Sequence, residues 1–274
     1  MSKCLYCYKE LRPGEVDFHP ECARRMFAAA TAPEMPYSRD NMSELASRVI
    51  RTSTSVTGVQ AKLSMEIDRG KRNEPSRFII VGLWGKYILK PQSPEYRCLP
   101  ELEDLTMKMA EIAHIKTARH SLIRLSDGEP AYITLRMDRG KKGEKYSMLD
   151  MCQLTNRLTE HKYLGAYEQL AQTVIRYSKA PYLDVQKFWE IVLFSWITGN
   201  SDMHARTSHC STKAKATYYL RRMTFWLCFW LIRKILTSLQ CHYSQAARRQ
   251  GSTGRHSSVP SSSPESLPMS PKSV

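Results

Sequence analysis

An α+β fold is the class this sequence predicts, on three observations. Short β-rich runs stand in the first half: Arg77–Val81 (RFIIV), Lys86–Lys90 (KYILK) and Ala131–Met137 (AYITLRM). Between the second and third runs lies a helical period over Leu99–Ile112, with Leu102, Leu105, Met109 and Ile112 at helical spacing. Further on, FWEIVLFSWITGN from Phe188 to Asn200 is apolar on all sides, which predicts a buried helix ended by the Gly199–Asn200 pair. The first two β runs flank a Gly82–Gly85 turn and read as a hairpin, so the expected sheet is small and antiparallel.

The chain's 274 residues allow one large domain or two small ones, and 42% hydrophobic content is enough to build a core. A formal net charge of +15 would ordinarily suggest a polyanionic partner. Its distribution argues otherwise. From Ala205 onward there are 11 Lys/Arg against one acid, Glu265, so the first 204 residues carry only +5. Direct binding to nucleic acid is therefore not the expectation. The start, MSKCLYCYKE, lacks an apolar signal region, and the greasy run Met223–Ile232 has ten residues, too few for a bilayer. Eight cysteines in a chain this long do not form a dense disulfide pattern, and a cytoplasmic protein without membrane association is expected.

Cys4, Cys7, His19 and Cys22 follow the spacing C-x2-C-x11-H-x2-C. Two close pairs of ligands joined by a loop suit a tetrahedral Zn2+ with no open position, hence a structural role in a segment too short to bury its own core. The plainer reading is unrelated buried cysteines beside a surface histidine.

Thr54–Leu63 reads TSVTGVQAKL, one glycine among small, hydroxylated and β-branched residues. Such a loop can turn its backbone N–H groups towards phosphate oxygens, although a lone glycine is often only a turn. Lys90 ends the second β run, where a lysine aimed into a cleft can meet nucleotide phosphates. Glu101 and Glu103 lie in the first turn of the following helix, and Glu103 could orient Lys90. The competing readings are an exposed strand-end lysine and carboxylates that favour the helix dipole. Ala131–Met137 ends at Asp138–Arg139 and could be a hinge between two lobes. Asp202 and His204 sit on a loop just after the apolar helix, a rigid mounting for a carboxylate that accepts a hydroxyl proton.

These pieces resemble the HipA family, the kinase components of bacterial toxin–antitoxin modules. The matching segments are Ser55-Val-Thr-Gly-Val-Gln-Ala-Lys62, Tyr87-Ile-Leu-Lys90, Leu99-Pro-Glu-Leu-Glu103, Met148-Leu-Asp-Met-Cys-Gln153 and Gly199-Asn-Ser-Asp-Met-His204, in the family's order. The resemblance implies a two-lobed, protein-kinase-like fold that uses ATP and Mg2+ to phosphorylate serine or threonine. It assigns Ser55, Val56, Thr57, Gly58 and Val59 to the phosphate loop, with Lys90 and Glu103 beside the nucleotide. It also assigns autophosphorylation to Ser55 and the catalytic positions to Asp202 and His204. Implied partners are a HipB-like DNA-binding antitoxin or a separately encoded N-terminal subdomain, and a protein substrate such as an aminoacyl-tRNA synthetase. The N-terminal subdomain of the longer toxins is absent, and the cysteine–histidine cluster stands near its place.

The pattern breaks after His204. The family continues with x-Lys-Asn-Phe-Ser, whose Asn binds metal; here Ala205-Arg-Thr-Ser-His209 puts Thr207 at that position, and a later Tyr-Asp pair is missing. Codons compatible with Ala205 onward, read two bases along, restore both Lys-Asn-Phe-Ser and a Tyr-Asp pair overlapping Met223–Thr224. The expected organisation is a metal-binding segment over 1–30, a HipA-like kinase region over 31–204, and an out-of-frame, largely disordered tail over 205–274. The C-terminal helical lobe is then incomplete and catalysis impaired. A non-catalytic module that binds a partner, or nucleic acid through the cluster and the basic tail, is the alternative.

Overall fold

The computed structural model describes residues 2–42, 44–45, 62–70, 74–82, 84–93, 96–140, 144–200, 203, 205, 208–212 and 218–222. All of them fall in one compact unit, residues 1–231. The fold is α+β, as the sequence predicts, and it begins with a helix tied to the cysteine–histidine segment. Helix α1, Pro20–Phe27, starts with Pro at its first position, where the missing N–H costs nothing. It stops at Ala28, whose φ of 58° turns the chain left-handed. Cys22, Ala23, Met26 and Phe27 form its buried face.

Five antiparallel strands make the main sheet: β1 Leu63–Asp68, β2 Arg77–Ile80, β3 Tyr87–Lys90, β4 His120–Arg124 and β5 Pro130–Leu135. Their order is β2-β1-β3-β5-β4, with β4 at an edge. The expected hairpin is therefore not formed: β2 and β3 each pair with β1, which lies between them. Their connection passes over the end of β1, with the Val81 N–H donating to the Ser64 carbonyl and the Gly85 N–H to Ser64 Oγ. At Gly85 a Cβ would strike the Met65 carbonyl and lie 2.6 Å from Ser64 Oγ, so the close approach requires glycine.

Strand alternation gives the sheet two different faces. Tyr87 and Leu89 of β3, with Ala131 and Ile133 of β5, join Phe18, Met26 and Phe27 of the N-terminal segment in one core. Phe27 meets Phe18 and Phe78 edge-on, ring centres 5.3 and 5.8 Å apart. The cysteine–histidine segment thus borrows the sheet's core instead of building one. On the opposite face lies α2, Leu99–Ile112, where Met107 and Ala110 pack with Tyr132, Ile115 and Ala118.

The second half holds β6 Met148–Asp150, α3 Met151–Leu154, α4 Tyr167–Tyr177 and α5 Pro181–Ile197. Asp150 and Gln153 form a reciprocal cap on α3: each side-chain oxygen accepts the other's backbone N–H, at 2.8 and 2.9 Å. Helix α5 differs from the expected buried helix. Phe188 and Ser195 are buried, but Trp189, Leu193, Trp196 and Ile197 are 40–79% exposed. One side of α5 packs on Leu170, Ala171 and Val174 of α4, and Ile191 and Phe194 reach the α2 core. Among the described residues nothing covers the remaining side, which is why a helix apolar all round is only half buried.

Beyond His204, two short segments of the 205–274 tail are described. β7, Ser208–Thr212, and β8, Tyr218–Arg222, extend β6 into a three-stranded antiparallel sheet. Backbone pairing supplies this order without a clear apolar period, helped by the β-prone Tyr218-Tyr-Leu220. No helix among the described residues is long and apolar enough to cross a membrane.

Candidate functional site

β3 carries Lys90 at its C-terminal end, opposite Tyr132 of β5. Because Leu89 faces the α1 side, Lys90 faces α2, and its ammonium makes an ion pair with the Glu103 carboxylate. Both side chains are almost wholly enclosed, 2% and 3% exposed. The strand-end lysine is therefore not a surface residue, and Glu103 is more than a helix-dipole carboxylate. Burial pushes the Glu103 carboxyl up from its ordinary value, and the Lys90 charge opposes that shift. Lys90 Nζ also lies 5.4 Å from the centre of the Tyr132 ring.

The pair also sets which face of α2 turns inward. Leu105, Met109 and Ile112, whose spacing marks the helix in the sequence, are exposed, while Glu103, Asp104, Thr106, Met107 and Ala110 point inward. The physical reason is polar: two carboxylates on the inner face have buried partners, and a helix must rotate to satisfy them.

Asp104 is the second carboxylate, and sequence reasoning missed it. One of its oxygens accepts the Tyr8 hydroxyl; the other accepts His120 Nδ1–H at 2.6 Å. Burial, then the Asp104 charge, drives the Tyr8 hydroxyl pKa well up, so it stays a donor. The His120 ring stacks on Tyr132 with centres 6.0 Å apart, and its Nε2 lies 3.3 Å from a Glu111 oxygen. A signal was present: an acid beside Glu103 and a histidine opening the short strand His120-Ser-Leu-Ile-Arg124.

Of the other expected site residues, Ser55, Val56, Thr57, Gly58, Val59, Asp202 and His204 lie outside the described residues. The frame around the last two is described. Helix α5 ends in a paired cap: the Gly199 N–H donates to Trp196 and the Asn200 N–H to Ser195, at 3.1 and 2.8 Å, with Gly199 at φ 66°. Met203 and Ala205 are buried. The Ala205 carbonyl accepts the Met151 N–H at 2.9 Å, and the Met203 carbonyl accepts the Tyr167 hydroxyl at 3.2 Å. Met203 and Ala205 are thereby tied to α4 and α3 respectively.

After β5, the expected hinge is braced by charge. Arg136 grips Asp138 with two hydrogen bonds of 2.9 and 2.7 Å, and Arg139 adds a contact at 3.5 Å. Burial opposes ionisation of Asp138, but these guanidinium groups win and hold its carboxyl below the usual range. A depressed carboxylate stabilises the fold above its unfolded pKa of about 3.9, and that contribution disappears as pH falls through the folded value. Acid unfolding of Asp138→Asn should accordingly show a shallower loss of stability below about pH 4 than the unaltered chain. Equal slopes in urea titrations across that window would refute the brace.

The fourth element is the cysteine–histidine cluster. One ligand atom from each of Cys4, Cys7, His19 and Cys22 lies within 4.8 Å of all the others. A zinc ion with Zn–S bonds of about 2.3 Å needs only modest contraction of such a set. His19 Nε2 donates to the Glu10 carbonyl at 2.9 Å; a carbonyl can only accept, so Nδ1 is the free nitrogen. That nitrogen faces the sulfurs of Cys7 and Cys22 at 3.4 and 3.8 Å. Cys4 is held at about 7: burial resists ionisation, but N–H groups of His19, Cys7 and Tyr6 outweigh it. Burial, then the neighbouring thiols, pushes Cys22 up to about 12. The set can hold a metal that takes sulfur and imidazole.

A Haemophilus influenzae protein named "Putative kinase" is 24% identical over 185 residues, 64% of this chain and 52% of that protein. The Sinorhizobium fredii protein "Putative kinase Y4mE" is 24% identical over 160 residues, 56% of this chain and 37% of that one. The chain thus spans about half, or less, of the length of these relatives. Among solved structures, the Shewanella oneidensis MR-1 HipA, HipB and operator DNA complex aligns at a TM-score of 0.49 with 19% identity, covering 78% of this chain and 57% of that one. The Helicobacter pylori proinflammatory kinase CtkA aligns at 0.41 with 14% identity, covering 50% and 49%. Residues 54–218, more than half of the sequence, match the model of the HipA-like C-terminal domain, and the chain belongs to that family.

Proposed function

We propose that this chain carries the ATP-binding part of a HipA-like serine/threonine protein kinase, with phosphoryl transfer impaired by the residues that follow His204. The buried Lys90–Glu103 pair carries this reading. An enclosed ion pair adds little net stability compared with apolar packing, so its presence at the end of a strand favours a role in binding. Lys90 is the residue to meet nucleotide phosphates, with Glu103 fixing its position and Ser55–Val59 offering backbone N–H groups. ATP, when bound, supplies the transferable phosphoryl group. Asp202 would accept the proton of the attacking hydroxyl, with His204 beside it, and Ser55 is the candidate for self-phosphorylation.

Mg2+ fits less well. Thr207 stands at the position of the family's metal-binding Asn, and the later Tyr-Asp pair is missing from the sequence. Loss of such groups commonly costs orders of magnitude in rate. Zn2+ in the Cys4–Cys7–His19–Cys22 set would be structural, since four protein ligands leave no open position. Membership of the family also supports a toxin role, a HipB-like antitoxin or separately encoded N-terminal subdomain as partner, and a substrate such as an aminoacyl-tRNA synthetase. The exposed Trp189, Leu193 and Trp196 of α5 favour a second reading, a non-catalytic chain that binds a protein partner there.

A γ-phosphate transfer assay separates these readings, run on the chain as written beside one translated in the restored frame. Label on Ser55 of the restored chain alone is the expected result. Label on neither removes the kinase reading; label on both removes the impairment.

A further inference from the structure

The cysteine–histidine segment touches both sides of the sheet, and the contacts converge on one helix. Its first loop runs along the β4 edge, where the Leu5 carbonyl accepts Ser121 Oγ–H at 3.0 Å and the Leu122 N–H at 3.4 Å. The segment's aromatic rings then reach around that edge to α2. Lys108 Nζ lies 4.7 Å over the Tyr6 ring, and the Tyr8 hydroxyl donates to Asp104. At the other end, Arg119 Nη1 donates to the Arg25 carbonyl of α1 at 2.7 Å.

We infer that Tyr8, Asp104 and His120 are positioning residues that transmit the order of the Cys4–Cys7–His19–Cys22 centre to the Lys90–Glu103 pair. The inference rests on the nucleotide reading of that pair given above. Tyr8 directly follows Cys7 and sits at φ 61°, so closure of the cluster fixes the direction in which its ring leaves the loop. Asp104 directly follows Glu103 on α2. One residue is about 100° of helix rotation, so holding Asp104 against Tyr8 and His120 sets where Glu103 points. A second route runs through aromatic rings: His120 stacks on Tyr132, and Lys90 lies over the same Tyr132 ring. Asp104 and the His120 side chain are fully buried, leaving little freedom for the helix to turn.

Such coupling is reciprocal: whatever factor the ordered cluster adds to nucleotide affinity, nucleotide must add to metal affinity. The test uses the full zinc-loaded chain and titration calorimetry with Mg·ATP. Tyr8→Phe removes only a hydroxyl and Asp104→Asn only a charge; each should weaken binding by about three- to tenfold. In equilibrium competition with a zinc-selective chelator, saturating Mg·ATP should raise zinc affinity for the unaltered chain. That gain should vanish in Tyr8→Phe, a change that a merely structural hydroxyl would not cause. If the unaltered chain does not bind Mg·ATP, or binds it as well after Lys90→Ala, the nucleotide reading falls and the relay with it. If binding depends on Lys90 while both variants match the unaltered chain in affinity and linkage, the relay alone is overturned.

Discussion

Lys90→Ala should destabilise the chain by about 3–5 kcal/mol, because it removes the cation hydrogen-bonded to the enclosed Glu103 carboxylate. The two side chains are among the least exposed charged groups described, and an uncompensated charge in that position costs more than a lost methylene. The companion variant isolates the cause. Replacing both partners by apolar residues of similar volume, Lys90→Met with Glu103→Leu, should recover most of the loss. Urea denaturation of zinc-saturated protein measures both, with the slope checked for constancy. A cost below about 1 kcal/mol for Lys90→Ala is the value expected of an exposed lysine, and it would remove the basis for a buried site. The double variant should still bind no nucleotide, which separates stability from function in one protein.

Removal of the metal should have the other large effect. The purified chain should contain about one zinc, and chelation should lower its melting temperature by about 10 °C or more. Cys4 and Cys22 belong to the same core as Phe18, Phe27 and Phe78, so opening the cluster loosens one whole face of the sheet. Cys22→Ser should reproduce the loss. Cys98→Ser should not, since Cys98 is an exposed thiol at the start of α2 and far from the cluster in sequence. Protein that purifies without zinc and melts at the same temperature with and without chelator would mean that the thiols pack as ordinary small apolar groups.

The side chains that the structure brings together were more legible than the surfaces around them. Lys90, Glu103 and the four cluster ligands stood out because each is a chemically distinctive side chain at a revealing spacing. The inner face of α2 did not, because hydropathy points to Leu105, Met109 and Ile112 whereas burial follows the partners of Glu103 and Asp104. The pairing of β1 was hidden by position: it follows directly on the glycine loop, and a two-strand reading of Arg77–Lys90 leaves no place for it. Helix α5 misled for the opposite reason. Its apolar residues were correctly seen as a helix, but sequence reports what a surface prefers and cannot report whether a neighbour arrives to cover it.

The attachment of the N-terminal loop to β4 also sets an order of events at the ribosome. Tyr8 meets a residue 96 positions later, and Leu5 one 116 positions later. At a synthesis rate of about 5–20 residues per second, the loop emerges roughly 5–20 seconds before its platform exists. A segment of this size has no core of its own to wait in, whereas a bound metal would close it locally within its first few dozen residues. Metal supply during translation, more than metal affinity in the finished protein, would then govern how much of the chain reaches its folded state.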